Sequence, residues 1–205
     1  MPKLTRLWML ASAVVLAIGI FAARIGAQEE ELPEWMEIEL VDVMTGETFT
    51  IADFLGKTIL VEPMATWCSN CRRQIVETTK LIRQLAEAED ERLEQFVFLG
   101  LSIETNLKPS ALKAYAERNN FALTFAVMSE EMLRALVAQF GRSVANPPSS
   151  PSFIIRADGT FTEVETGIQT AEEILAKLEA EFVEVEAAAT AEPTAAVTAA
   201  ATPKK

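Results

Sequence analysis

Residues 58–71 read TILVEPMATWCSNC. The first five are a compact, β-branched apolar run, the composition of a strand buried on both faces. The stretch behind the cysteines, RRQIVETTKLIRQLAEAEDERLEQ, sets Ile75, Leu81, Ile82 and Leu85 at helical spacing. Cys68 and Cys71 therefore fall where a strand hands over to a helix, one turn apart on one helical face.

That placement carries the chemistry. The first turn of a helix has backbone N–H groups without intrahelical partners and the positive end of the dipole. Both favour a thiolate, so the Cys68 pKa is expected below ~8.5. A thiolate attacks disulfides, and Cys71 is in reach to resolve the mixed disulfide. Arg72 and Arg73 add positive potential that solvent screens. These two cysteines are the chain's whole complement, and there is no histidine. A disulfide across so short a loop restrains the unfolded chain little, and two thiolates do not complete a zinc site. No metal or other cofactor is called for. A redox couple leads; a structural disulfide and a vestigial site stay open.

The 205 residues suffice for one domain with extensions, and the formal net charge of −12 argues against a nucleic-acid partner. Lys3 and Arg6 precede the apolar run LWMLASAVVLAIGIFAA (7–23), so residues 1–27 read as an uncleaved membrane anchor or a signal segment that places the rest outside the cytoplasm. Residues 28–36 read as an acidic linker, with Trp8 and Trp35 at membrane-interface or linker positions. EIELV (37–41) and TFTI flank a turn as a hairpin, and ADFLGK is a helical turn closed by Gly56. Beyond the first helix, FVFLGLSI (96–103) reads as a strand, Pro109 opens a helix through Asn119, and ALTFAVM (122–128) is a third strand. Ser129 caps a helix that stops at Gly141. RSVANPPSSP is a loop, SFIIRADGTFTEVETG a hairpin turning at Asp158–Gly159, and Thr170 caps a final helix. Residues 183–205, rich in Ala, Thr and Pro, read as a disordered tail. Alternating strands and helices imply an α/β domain over residues 37–182.

Three stretches, DVMTGETFTIADFLGKTILVEPMATWCSNC, SALKAYAERNNFALTFAV and SPSFIIRADGTF, resemble the thioredoxin superfamily, and more closely its TlpA/ResA-like branch of membrane-anchored oxidoreductases. The resemblance implies a thioredoxin-like fold: a central mixed β-sheet flanked by helices, with an N-terminal β-hairpin and a central helix–strand insert. It implies that Pro151 is a cis-proline facing the cysteines, holding Ser150 so that its backbone can pair with an incoming peptide. It gives Glu62 the position of a buried acid, whose carboxyl desolvation would raise in pKa and which would take the proton of Cys71. An exposed strand-end glutamate is the bland alternative. Trp67 is expected either at the mouth of the site, as part of a docking surface, or in simple core packing.

The chain also departs from the pattern. Pro63 and Met64 replace an aromatic pair; a proline there lacks a ladder donor, so the strand is expected to end early or bulge. The loop before Pro151 is longer than usual. Ser69–Asn70 lacks the common proline, and without histidine the copper-chaperone relatives fit poorly.

The expected partners are exported proteins bearing disulfides or thiols, a membrane thiol electron donor, and the membrane itself through the N-terminal helix. By resemblance the substrates include apocytochrome c thiols or a copper-site assembly protein, with the chain as reductant. Two alternatives remain: a thiol peroxidase of peroxiredoxin type, for which Pro63 and Thr66 sit too close to Cys68, and a redox-inactive exported interaction module.

Overall fold

The computed structural model describes residues 32–190. The anchor or signal segment and the end of the chain beyond Thr190 lie outside the described residues. The chain divides into units of residues 1–32 and 33–205, and every element below belongs to the second.

Strands β1 (Leu40–Val41) and β2 (Thr48–Phe49) pair antiparallel as a small hairpin. Four further strands, β3 (Thr58–Met64), β4 (Phe96–Ser102), β5 (Thr124–Val127) and β6 (Phe153–Ile155), form one sheet in the order β5-β4-β3-β6. β4 runs parallel to both β3 and β5, while β6 is antiparallel to β3. Helix α1 (Ser69–Glu87) crosses from β3 to β4, and α2 (Pro109–Asn119) from β4 to β5. α3 (Glu130–Phe140) and α4 (Ala171–Thr190) follow β5 and β6. This is the mixed sheet flanked by helices, with hairpin and helix–strand insert, that the resemblance implied.

Local chemistry explains most boundaries. β3 is buried at every position, which is why its sequence does not alternate. Pro109 stands at the start of α2. Ser129 Oγ accepts the Met132 N–H at 3.0 Å, and Thr170 and Glu173 bond reciprocally at the start of α4 at 2.8 and 3.2 Å. Gly100 on β4 faces Phe125 on β5, where an added Cβ would lie 2.5 Å from the ring; only glycine admits that close approach.

Five expectations change. Residues 33–36 are not linker: Glu34–Met36 form a 3-10 turn with Trp35 and Met36 buried. Trp35 packs edge-on against Phe140, Phe153 and Phe161 at 5.7–6.1 Å, so this aromatic belongs to the core. α4 runs to Thr190, into the segment read as a tail, since EVEAAAT is built largely of good helix formers. The hairpin beyond β6 returns only through isolated bridges, Ile155 with Phe161 and Ser152 with Glu165. Finally, β3 neither stops early nor bulges at Pro63. Met64 C=O accepts from Ile103 N–H on the β4 side, so Pro63 faces the β6 side, as alternate residues do. There the register (Ile59 with Ile155, Val61 with Phe153) would next oppose Pro63 to Pro151. Neither has an N–H to donate, so the ladder ends there without leaving a donor unpaired.

Candidate active site

The parting of β3 and β6 opens the site. A small pocket lies there, with room for about 10 Å³, roughly one water molecule, lined by Glu62, Pro63, Met64, Cys71, Gln74, Ile75, Ser150 and Pro151. β3 carries Glu62 to it, α1 carries Cys71 and Gln74, and the segment before β6 brings Ser150 and Pro151.

Cys68 and Cys71 are joined as a disulfide with Cα atoms 5.4 Å apart. Cys68 is the N-cap residue of α1, and its Sγ accepts the Cys71 N–H at 3.0 Å. One of the helix's unpaired donors thus points at the sulfur that would carry charge after reduction. Both sulfurs also touch the Pro147 carbonyl oxygen, at 3.2 Å for Cys68 and 3.1 Å for Cys71. In the disulfide neither sulfur has a proton, so these are contacts rather than donated hydrogen bonds. Under this oxygen the pair is nearly sealed, Cys68 at 4% exposure and Cys71 at 3%.

Glu62 is 2% exposed, which removes the reading of an exposed strand-end carboxylate. Burial pushes its pKa up to about 7, against the lowering pull of the Thr78 hydroxyl. Thr78 Oγ1 donates to Glu62 Oε1 at 2.8 Å. The other carboxyl oxygen, Gln74 Nε2 and Ser150 Oγ are buried without a direct partner. Gln74 Oε1 accepts the Gln169 N–H at 2.7 Å; since an N–H can only donate, this fixes which end of the amide is the free Nε2. Three unpartnered polar groups, all from residues lining a space the size of one water beside Cys71, are placed for a single water to bridge them.

The Ser150–Pro151 bond is trans, contrary to the cis bond the resemblance implied. The chain reverses instead at Ser150, which adopts left-handed dihedrals of φ 50° and ψ 65°. Pro151 still lines the pocket with Cys71. The Ser150 N–H is spent on the Pro147 carbonyl at 2.7 Å and is not open to a peptide in this state. Trp67 is 64% exposed; core packing is ruled out, and it stands on the surface beside Cys68.

No family model matches the chain. It is 22% identical over 156 residues to the thioredoxin-like protein YneN of Bacillus subtilis, covering 76% of this chain and 81% of that one. A solved thiol:disulfide interchange protein of the thioredoxin family from Chlorobium tepidum superposes with a TM-score of 0.58 at 23% identity, over 70% of this chain and 92% of the other. This chain has the thioredoxin-like fold. The exposed lipoprotein thioredoxin Etrx1 of Streptococcus pneumoniae agrees, with a TM-score of 0.54 at 18% identity over 70% of this chain and 98% of the other.

Four contributors to this thioredoxin-like site lie outside the sequence reading. Glu104 receives the Thr66 N–H at 2.6 Å and the Thr66 hydroxyl at 3.2 Å, clamping the loop that presents Trp67 and Cys68. Gln74 and Thr78 form a polar stripe with Cys71 at i, i+3 and i+7 on the inward face of α1; polar residues in phase with the buried Ile75 were the available signal. Pro147 acts through its carbonyl, which leaves no mark in sequence.

Proposed function

We propose that this thioredoxin-like chain is a membrane-anchored, extracytoplasmic thiol–disulfide oxidoreductase that reduces exported proteins. The observation that carries this reading is the Cys68 sulfur seated at the N-cap of α1, taking the Cys71 N–H, with Cys71 beside the buried Glu62.

In the reduced chain, the Cys68 thiolate attacks one sulfur of a substrate disulfide. A mixed disulfide forms and the other substrate sulfur leaves as thiolate. Cys71 then passes its proton to Glu62, directly or through one water, and its thiolate attacks the Cys68 sulfur. The Cys68–Cys71 bond closes, the second substrate sulfur leaves, and two electrons have moved from chain to substrate. The structure corresponds to this oxidised product state. A membrane thiol donor returns the two electrons.

A carboxylate able to deprotonate the resolving cysteine favours release of reduced substrate, hence the reductant direction. Lys3, Arg6 and the apolar run 7–23 support the anchor. One structural neighbour is described as an exposed lipoprotein. Substrates of the cytochrome c maturation type rest on the TlpA/ResA resemblance. The peroxidase alternative loses ground because the Thr66 hydroxyl is held by Glu104.

The test is the Cys71→Ser chain expressed with its anchor. It should accumulate mixed disulfides through Cys68 that dithiothreitol releases. An empty trap, together with no insulin reduction by the parent chain, contradicts the reading and favours the inert module.

A further inference from the structure

We propose that Glu104 is a positioning residue for the nucleophile: its carboxylate locks the turn that presents Trp67 and Cys68, and its charge holds the Cys68 thiol less acidic than the helix start alone would make it. The proposal rests on the exchange reading above and names the residue that biases the couple toward giving electrons.

The ladder of β3 with β4 ends where Met64 faces Ser102. Beyond that pair the two segments are still joined. Ile103 N–H donates to the Met64 carbonyl at 2.9 Å, and Glu104 then reaches across with its side chain. One carboxyl oxygen accepts the Thr66 N–H at 2.6 Å, and the other accepts the Thr66 hydroxyl at 3.2 Å. Both oxygens accept, as those of a carboxylate do. The Glu104 backbone is itself fixed: its N–H donates to Ser102 Oγ at 3.2 Å and its carbonyl accepts the Leu107 N–H at 2.7 Å. Within the turn, Cys68 N–H donates to the Ala65 carbonyl at 3.0 Å. Residues 65–68 are thus closed by a bond of their own and tied to the end of β4 by Glu104, although Trp67 in their middle is largely exposed.

The charge matters as much as the grip. Cys68 Sγ takes the Cys71 N–H at the helix start, which favours the thiolate. A carboxylate held at the residue two positions earlier opposes it. The other groups around Cys68 decide which effect is felt. Arg72 and Arg73 are exposed, so water screens them, whereas Glu104 is half-buried and acts through less solvent. Burial raises the pKa of the Tyr115 phenol on α2, and the charges of Arg72 and Glu104 pull it in opposite directions, so the three share one neighbourhood. Glu62 on β3 keeps its proton up to about pH 7 and adds no charge below it. Residues 146–150 bring the Pro147 carbonyl oxygen. Glu104 is the least screened full charge tied to the Cys68 turn. A thiol that releases its proton less readily leaves the reduced pair less stable relative to the disulfide, which is the sense of a reductant.

Alkylation of the reduced full chain with iodoacetamide across pH tests the charge, and hydrogen exchange at the Thr66 amide tests the grip. Glu104→Gln keeps an oxygen for the Thr66 N–H and removes the charge. It should make the Cys68 thiol roughly threefold more acidic or better, lowering its alkylation midpoint by about half a pH unit, with Thr66 exchange as slow as in the parent. Against glutathione, two of whose thiols close to a disulfide as the Cys68–Cys71 bond opens, the equilibrium should move roughly threefold toward the reduced chain, about 14 mV for a two-electron couple. Glu104→Ala should lower the midpoint likewise and speed Thr66 exchange by roughly tenfold or more. Thr66→Val, which leaves the charge in place, should not lower the midpoint. An unchanged or raised midpoint in Glu104→Gln overturns the proposal, as does a lowered one in Thr66→Val, or Thr66 exchange that stays slow in Glu104→Ala. Should Glu104→Gln lower the midpoint while Cys71→Ser captures nothing, the exchange reading fails and the role of Glu104 stands; capture with an unmoved midpoint is the reverse.

Discussion

The two segments that meet at the disulfide are held by different means. From below, β3 reaches the site through a seven-residue ladder with β4 and delivers Glu62 from a strand buried at every position. From above, residues 146–150 arrive on short turns with three hydrogen bonds to residues outside them, from Asn146 N–H to Ser143, Asn70 Nδ2 to Pro148 and Gly167 N–H to Ser149, and they lay an oxygen on both sulfurs. The ladder side holds Glu62 in a strand paired along its whole length and leads directly into the start of α1. The turn side has no strand ladder and is held by its own turns, these few hydrogen bonds and the burial of Pro147 and Ser150.

The largest effect should come from removing the reacting sulfur. Cys68→Ser should abolish insulin reduction, a loss of more than roughly 10³-fold, with the domain still folded by circular dichroism. This separates chemistry from both sides of the site.

Breaking the ladder side chemically, without moving it, calls for Glu62→Gln. It should slow the resolving step by roughly 10²-fold, seen as mixed disulfide lingering in rapid-quench experiments, and erase the inflection near pH 7 that the raised carboxyl implies. The same change has a stability signature. The folded chain holds the Glu62 proton up to about pH 7, whereas the unfolded chain loses it near 4.5. Stability of the oxidised parent therefore falls as pH rises between these values and levels off above them, by about 3 kcal/mol in total. Oxidised Glu62→Gln should lack that slope and be the more stable at pH 8 in urea titrations.

How far the two sides could be read from the sequence follows the same division. Thr58–Glu62, Pro109, Ser129, Thr170 and the cysteine junction each announce their role through side-chain type and spacing. Strand burial, caps and helix starts are local properties, so they survive the step from sequence to fold. Glu62 was legible as an acid on an apolar strand. Residues 146–150 were visible only as a proline-rich loop of unusual length, because their action resides in the Pro147 carbonyl and in a left-handed Ser150. Backbone oxygens are common to all residues, and the trans Ser150–Pro151 bond depends on how the whole segment closes. Trp35 was misassigned because the aromatic partners that bury it, Phe140, Phe153 and Phe161, lie more than a hundred residues away in the chain.

Smaller perturbations sharpen the contrast. Gly100→Ala should cost about 1–3 kcal/mol in urea titrations, because its Cβ would press on the buried Phe125 ring and strain the ladder side. Asn70→Ala removes the hydrogen bond to Pro148 and should speed reduction of the oxidised chain by dithiothreitol by roughly three- to tenfold, the worth of about one hydrogen bond, while leaving the urea midpoint nearly unchanged. A large stability loss in Asn70→Ala would mean that residues 146–150 are as much a structural element as β3.

The central claim is that Cys68–Cys71 is a working redox couple, and its equilibrium potential against glutathione tests that most directly. The account predicts a value within the range of exchange proteins, between about −270 and −120 mV, with Cys68 alone alkylated first after reduction. A potential below about −300 mV, where structural disulfides lie, would contradict it.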